Sequence, residues 1–222
     1  MKKTLTHNEF LDVLTNLFLA EGIKNLTVGE IASRLRCSRR RLYDIAQTKE
    51  EIFCAAVERF FSSVLAEGEA LIRGEQNLTT AIAVYLDVGV RAGSRIDVRF
   101  LKDVESSESA RTLFDNYQEA RTVRLSQLID KGVRERVFIA CHGLLVSEVM
   151  LGAALRLRRP AFLAQANLSI EEAFQEFYRI LLGGLLIDAN APKIVRRGDH
   201  TNPGIARGTS QNRDDIGTDE VG

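Results

Sequence analysis

The chain has 222 residues, of which 45% are hydrophobic and 27% are charged. This composition is ordinary for a globular protein and excludes a collagen-like, disulfide-scaffold or wholly disordered chain. The 30 basic and 30 acidic residues cancel over the whole chain. Residues 1–50, however, hold nine Lys or Arg against six Asp or Glu, so the N-terminal end is basic.

The cysteines and the apolar segments exclude further classes. Cys37, Cys54 and Cys141 are widely spaced and form no C-x-x-C pair, so neither a disulfide framework, nor a metal site, nor any other cofactor is expected. No run approaches the roughly 18 apolar residues of a membrane span. The first residues lack the continuous apolar stretch of a signal peptide. We therefore expect a cytoplasmic protein that does not bind a membrane.

Three short helices are predicted in the first 47 residues. Thr6 and Glu9 form a T-x-x-E capping box that opens the first helix, and Gly22 ends it. Thr27 can cap a second helix and Ser38 a third.

Longer helices follow. Thr48 and Glu51 form another capping box, which opens a long helix interrupted at Gly74. Apolar periodicity predicts five further helices, at 78–91, 98–105, 108–131, 136–158 and 170–187. No segment shows the alternation of a half-buried strand, so the fold class is all-α.

Three regions are expected along the chain. Residues 1–47 form a helix-turn-helix module, and the long helix joins it to a helical bundle over residues 48–187. Residues 188–222 contain no aromatic residue, five of the 16 glycines and two of the three prolines. This last stretch is predicted to be a disordered tail, because it cannot bury enough apolar surface to offset its chain entropy.

The basic cluster RLRCSRRRLY, residues 34–43, lies within a helix-turn-helix pattern. The pattern needs apolar residues at fixed positions in both helices and a small residue where they cross. Those positions hold Ile31, Ala32, Leu35, Cys37, Leu42 and Ile45. With Leu42 inward, Arg39, Arg40, Arg41 and Tyr43 are expected to face outward, and the spacing of Arg40 and Asp44 allows an ion pair. Guanidinium groups bind guanine edges or phosphates, so DNA is the matching partner.

Residues 10–53 resemble the TetR family of bacterial transcriptional regulators. The resemblance is carried by L-F-x-x-x-G, T-V-x-E-I-A, S-x-x-x-L-Y and T-K-E-E. It implies phosphate contacts by Thr27, Tyr43 and Lys49, and a major-groove position for the segment from Ser38 to Asp44, including Arg39, Arg40 and Arg41. The chain departs from the family pattern at Arg36, where glycine is usual, and at Ile45-Ala46, where His-Phe is usual. Arg36 must either adopt a left-handed conformation or rearrange the turn.

The second module offers candidates for an effector site and a dimer interface. The effector candidates are Tyr85, Phe114, Tyr117, Cys141 and His142; the alternative is that these residues are plain core. The last two long helices are apolar on more than one face. A second copy of the chain would cover them, as the resemblance also implies, whereas the alternative is a larger core within one chain.

Together these features predict a DNA-binding transcriptional regulator rather than an enzyme. The expected form is a homodimeric repressor that binds a pseudo-palindromic operator and is released by a small-molecule effector. Two other classes stay open. One is an all-α enzyme or carrier whose arginine cluster holds a phosphorylated or carboxylated small molecule, and the other is a helical adaptor that binds an acidic protein.

Overall fold

The regular elements of the chain are helices, as the sequence predicts. The structure is a computed structural model that describes residues 5–185, so the predicted tail, 188–222, lies outside the described residues. The helices are α1 (His7–Glu21), α2 (Val28–Arg34), α3 (Arg39–Tyr43), α4 (Lys49–Ile72), α5 (Leu78–Ser94), α6 (Val98–Ser106), α7 (Glu108–Arg134), α8 (Gly143–Leu157), α9 (Pro160–Ala166) and α10 (Ile170–Leu185). The all-α class is therefore confirmed.

The helix starts of the N-terminal half follow from their capping residues. A side-chain oxygen of Thr6, Thr27, Ser38 and Thr48 accepts a hydrogen bond from the backbone N–H three residues later. In the three threonine caps, a glutamate also accepts a hydrogen bond from the capping residue's N–H. Each cap satisfies donors that a helix start leaves free and contributes roughly 1 kcal/mol.

A line of aromatic rings joins the N-terminal helices to the rest of the protein. Phe53 of α4 packs edge-on against Phe18 of α1 at a centroid distance of 5.8 Å and against Phe100 of α6 at 5.5 Å. All three rings are buried. Burial of such a side chain contributes about 2 to 3 kcal/mol, so α1, α4 and α6 share one core.

The predicted helix over 136–158 is wrong in its first turns. Helix α7 runs on to Arg134, Arg136 has a left-handed φ of +59°, and α8 begins only at Gly143. The backbone N–H groups of residues 137 and 138 donate to the Gly132 carbonyl, and the buried Phe138 ring lies where any side chain at position 132 would be. This contact within the tertiary structure ends α7, because the chain folds back over the glycine.

The sequence-based prediction misses one helix, and one of its boundaries lies outside the described residues. Helix α9 is absent from the sequence-based prediction; it begins with Pro160, whose fixed φ suits the first turn of a helix. The predicted end of the last helix, residue 187, lies outside the described residues, whose last helical residue is Leu185. In residues 5–185, no helix is long and apolar enough to span a membrane, and no group of three or more His, Cys, Asp or Glu could hold a metal ion.

Candidate nucleic-acid interface

The turn between α2 and α3 accommodates Arg36 without rearrangement. Arg36 adopts a left-handed φ of +50°. Its N–H donates to the Ser33 carbonyl at 3.1 Å, and the Cys37 N–H donates to the Ala32 carbonyl at 2.9 Å. These two bonds form a Schellman motif, which usually has glycine at the left-handed position. Of the two outcomes open for this turn, the structure shows the left-handed arginine.

Helix α3 is held by its inner face and presents its outer face to solvent. Leu42 is fully buried and belongs to the same hydrophobic core as Ile31 and Ala32 of α2, as the helix-turn-helix spacing predicts. The side chains of Ser38, Arg39, Arg40, Tyr43 and Asp44 are all exposed. Tyr43 keeps 41% of its surface exposed.

Arg41 does not belong to the outer face, so its predicted outward direction is wrong. Its Nη2 donates to the backbone carbonyl of Leu5 at 2.6 Å. Its guanidinium carbon lies 4.6 Å from the centre of the buried Phe10 ring. The side chain thus turns back toward α1, because the carbonyl and the ring face both attract a cation there. The free cations on the outer face of α3 are Arg39 and Arg40.

The remaining two arginines of α3 have different surroundings. The Asp44 N–H donates to the Arg40 carbonyl at 2.9 Å, but the two side chains form no ion pair, although their spacing allows one. The Arg39 guanidinium lies against Gly29, where a Cβ atom would come 2.8 Å from Nη2. Arg39 therefore bridges the outer face of α3 and the first turn of α2.

Thr27 and Lys49 lie at the starts of two helices that flank α3. The Thr27 hydroxyl accepts from the Glu30 N–H and donates to the Glu30 carboxylate at 2.7 Å. Hydrogen bonds from the Thr27 backbone and hydroxyl lower the pKa of Glu30. Lys49 reaches the Lys24 carbonyl at 3.3 Å. Both predicted phosphate contacts thus hold intramolecular bonds, and Thr27 itself is exposed.

Helix α6 fastens the end of α1 in a way that the sequence did not predict. The buried Asp103 carboxylate accepts hydrogen bonds from the N–H groups of Ile23, at 2.5 Å, and Lys24, at 3.0 Å. Arg99 donates to the Ala20 carbonyl at 2.7 Å, and the Asp97 N–H donates to the Leu19 carbonyl at 2.9 Å. Four hydrogen bonds therefore join α6 and its N-cap residue to the last turn of α1 and to the residues that follow it.

The predicted effector residues fall into two places. Phe114 and Tyr117 of α7 line a small cavity, and Tyr85 of α5 lies against the same buried arginine, Arg121, as Tyr117 does. Cys141 and His142 do not line that cavity. They lie in the connection before α8, where His142 is the N-cap residue, and not side by side within a helix as predicted.

The sequence-based prediction missed Arg121. Its side chain is 2% exposed, and it lines the cavity with Phe114 and Tyr117. Tyr117 and Leu125 lie four positions away on either side and are buried, so the apolar spacing of α7 is the signal that could have identified Arg121.

We compared the chain with known proteins to identify its fold. No protein-family model and no curated protein matches the chain. Solved structures do match, at low sequence identity. The reduced form of Escherichia coli NemR has a TM-score of 0.61 and 18% identity, and the match covers 83% of this chain and all of NemR.

Two further structures show the same similarity. A transcriptional regulator from Saccharomonospora viridis in complex with choline has a TM-score of 0.63 and 12% identity, over 82% of this chain and 98% of that one. The TetR-family regulator PfmR from Thermus thermophilus has a TM-score of 0.56 and 21% identity, over 79% and 97%. The chain therefore has the fold of the TetR family of transcriptional regulators.

Proposed function

We propose that this protein is a sequence-specific DNA-binding transcriptional regulator that places α3 in the major groove. The observation that carries the proposal is the pairing of a buried anchor, Leu42, with an exposed outer face that holds Arg39, Arg40 and Tyr43. A helix fixed from behind and cationic in front is what groove recognition requires. The similar solved structures include transcriptional regulators, which supports the same role.

The three exposed side chains suit different parts of a duplex. Consecutive helical residues lie about 100° apart, so Arg39 and Arg40 address different groups. Arg39 lies on the side of α3 that carries Tyr43, and we assign it to a guanine edge, which a guanidinium binds bidentately. Arg40, Tyr43 and the flanking Thr27 and Lys49 are assigned to phosphates, which fix register without reading sequence.

A homodimer is the proposed working form. Helix α8 leaves Leu144 66% exposed and α10 leaves Ile180 61% exposed, and Leu145 and Val149 are also largely exposed. The small residue Gly152 has open space above it. Such apolar helix faces are expected to pack against the same faces of a second copy. A two-fold dimer would then bind two half-sites about 34 Å apart.

We propose that a small molecule releases the protein from DNA, because the helices around the cavity are packed against the N-terminal helices. The cavity beside Arg121 lies among α4, α5, α7 and α10, and α4 packs on α1 while α6 fastens the end of α1. A ligand that binds one helix arrangement more tightly than the other shifts the population between them. The choline complex of the Saccharomonospora viridis protein is consistent with small-molecule control of this fold. The proposed mode is repression that the ligand lifts, with no cofactor and no catalysis.

The alternative classes fit the geometry less well. A carrier or enzyme would enclose its anionic ligand in a pocket, but Arg39 and Arg40 are exposed and Arg41 is bound to α1. An adaptor for an acidic protein would use the same exposed cations. It would not require the spacing that a two-fold dimer imposes on DNA.

Footprinting on the DNA that flanks the protein's own gene tests the proposal. The expected result is protection of two symmetric half-sites whose centres are one helical turn, or slightly more, apart. A gel shift with the same fragment shows whether the protein binds duplex DNA at all. If the protein binds no duplex at low salt, DNA binding is excluded and a carrier or adaptor is favoured.

A further inference from the structure

Arg121 is a buried cation without a counter-ion in the described part of the chain. It lies in the middle of α7 and is 2% exposed. Its Nη2 donates to the Tyr85 carbonyl at 3.2 Å and lies 3.5 Å from the Tyr178 hydroxyl. Its Nη1 has no hydrogen-bond partner. Within residues 5–185, no carboxylate forms an ion pair with it.

The surrounding aromatic rings cannot neutralise this charge. The guanidinium carbon lies 4.9 Å from the centre of the Tyr85 ring and 5.8 Å from that of Tyr117. Burial raises the pKa of Tyr117 to about 12, so its phenol stays neutral at physiological pH. An arginine remains charged in a protein, and an unpaired buried charge is costly. The residues that the structure describes therefore supply no anion to this buried charge.

Arg121 is also one of the residues that line the small, mostly apolar cavity noted above. Its other walls include Phe61, Phe114 and Tyr117, whose rings stack with Phe61 in the middle at centroid distances of 4.4 Å. The cavity is small, with a volume of about 20 Å³, which is room for one or two water molecules. A larger ligand must move the surrounding helices apart.

The contact between α5 and α10 shows where the cavity can widen. Gly93 of α5 lies against the backbone of α10 at Glu171, at 3.3 Å from the position of a Cβ atom. Gly89, one turn earlier, lies against the Arg121 guanidinium. Helices α5 and α10 are close because position 93 has no side chain, whereas the space left at position 89 holds the Arg121 guanidinium. Arg121 and Phe174 of α10 both line the cavity. A ligand between these two side chains would therefore move α10 away from α5.

We propose that Arg121 binds the carboxylate of a small apolar monocarboxylic acid, and that this acid is the effector of the proposed regulator. A planar carboxylate matches the fork of donors on a guanidinium, and the aromatic walls suit an apolar body. A single cation favours a monoanion over a phosphate dianion. The nearest arginine along α7, Arg124, is already paired with Glu69 at 2.7 Å. A cationic ligand would be repelled.

Ligand binding can be measured without DNA, so this inference and the proposed function fail separately. Benzoate and a series of short to medium-chain alkanoates are titrated into the full chain by calorimetry and thermal shift. Benzyl alcohol and hexanol test the need for the charge, inorganic phosphate tests the monoanion preference, and choline tests the charge sign. We expect a rise in Tm with at least one carboxylate and none with its alcohol, phosphate or choline.

Variants at position 121 separate a binding role from a structural one. Arg121→Met is expected to weaken carboxylate binding at least tenfold while keeping or raising the Tm of the ligand-free protein, because the unpaired buried charge is gone. Arg121→Lys keeps the charge but loses the fork, so it should retain part of the binding. Arg124→Gln changes a partly exposed arginine of the same helix that is paired with Glu69; it is the matched control and should bind like the unchanged protein.

Three results would overturn the inference. One is the absence of binding by any carboxylate in the series. Another is equal binding of an acid and its alcohol, and the third is unchanged carboxylate binding in Arg121→Met. If a carboxylate binds through Arg121 but does not reduce DNA binding, the site is correct and its role as the effector site is wrong.

Discussion

The guanidinium of Arg41 lies 4.6 Å from the centre of the Phe10 ring and donates to the Leu5 carbonyl. One of the three arginines of α3 therefore makes its contacts within the protein, where it joins α3 to α1 and to Leu5, just before α1 in the chain. A cation over an aromatic face contributes about 0.5 to 1 kcal/mol at a partly exposed site. The density of positive charge in the sequence thus overstates the number of cations available for DNA.

Substitution of Arg41 and of Arg40 separates the structural arginine from the exposed one. Arg41→Ala is expected to lower the free energy of unfolding by about 1 kcal/mol, through loss of the ring contact and the hydrogen bond. Arg40→Ala, its neighbour on the exposed face, should leave stability within about 0.5 kcal/mol. Urea denaturation measures both, and equal effects would contradict the assignment.

Arg36 offers a stabilising substitution. A left-handed conformation costs a non-glycine residue about 1 to 2 kcal/mol, and glycine gives back part of this gain because it loses more entropy on folding. Arg36→Gly should therefore raise the free energy of unfolding by up to about 1 kcal/mol. Arg36→Ala keeps the strained conformation and serves as the control. A Tm for Arg36→Gly at or below that of Arg36→Ala would contradict the strain.

Asp103 is expected to contribute strongly to the free energy of unfolding, although the sequence around it contains many polar residues. Hydrogen bonds to a charged group contribute about 1.5 to 3 kcal/mol, and Asp103→Ala removes the acceptor of two backbone N–H groups. We expect a loss of about 2 to 3 kcal/mol by denaturant unfolding. Asp87→Ala removes an exposed carboxylate that pairs with Arg91 and should cost less than about 1 kcal/mol. A similar loss of stability in both variants would contradict the expected stabilisation by the hydrogen bonds of Asp103 in α6.

The proposed dimer interface can be tested by charge insertion. Leu144→Glu places a carboxylate on the exposed apolar face of α8 and should convert the dimer into a monomer, as measured by light scattering after gel filtration. Leu71→Glu changes an equally large apolar residue that is 49% exposed on α4 and should leave the dimer intact. A monomeric wild-type protein, or a dimeric Leu144→Glu variant, would contradict the interface.

Much of the N-terminal architecture could be predicted from short-range patterns. Capping boxes are local, so the starts of α1 and α4 at Thr6 and Thr48 follow from four residues each. The buried state of Leu42 follows from the packing needs of a helix-turn-helix, whereas the sequence left two conformations open for the turn at Arg36. These features depend on residues that are neighbours in sequence.

The missed features depend on contacts between distant residues. The end of α7 is set by Phe138 folding onto Gly132, and the direction of Arg41 is set by Phe10, 31 positions earlier in the chain. Arg121 is buried only because α5 and α10 converge on it. The apolar periodicity of α7 does place position 121 on the buried face, because Tyr117 and Leu125 lie four positions away on either side, but it does not show which groups surround the guanidinium.

The affinity for the footprinted operator as a function of salt tests the central claim, that α3 binds DNA through its exposed cations. Fluorescence anisotropy gives Kd for the full chain at several salt concentrations, on the operator and on a shuffled duplex. We expect log K to fall linearly with log salt, by about 0.9 per phosphate neutralised. Arg39→Ala should lose about 1 to 3 kcal/mol and relax the preference at one base pair. An affinity that is equal for both duplexes and independent of salt would contradict the account.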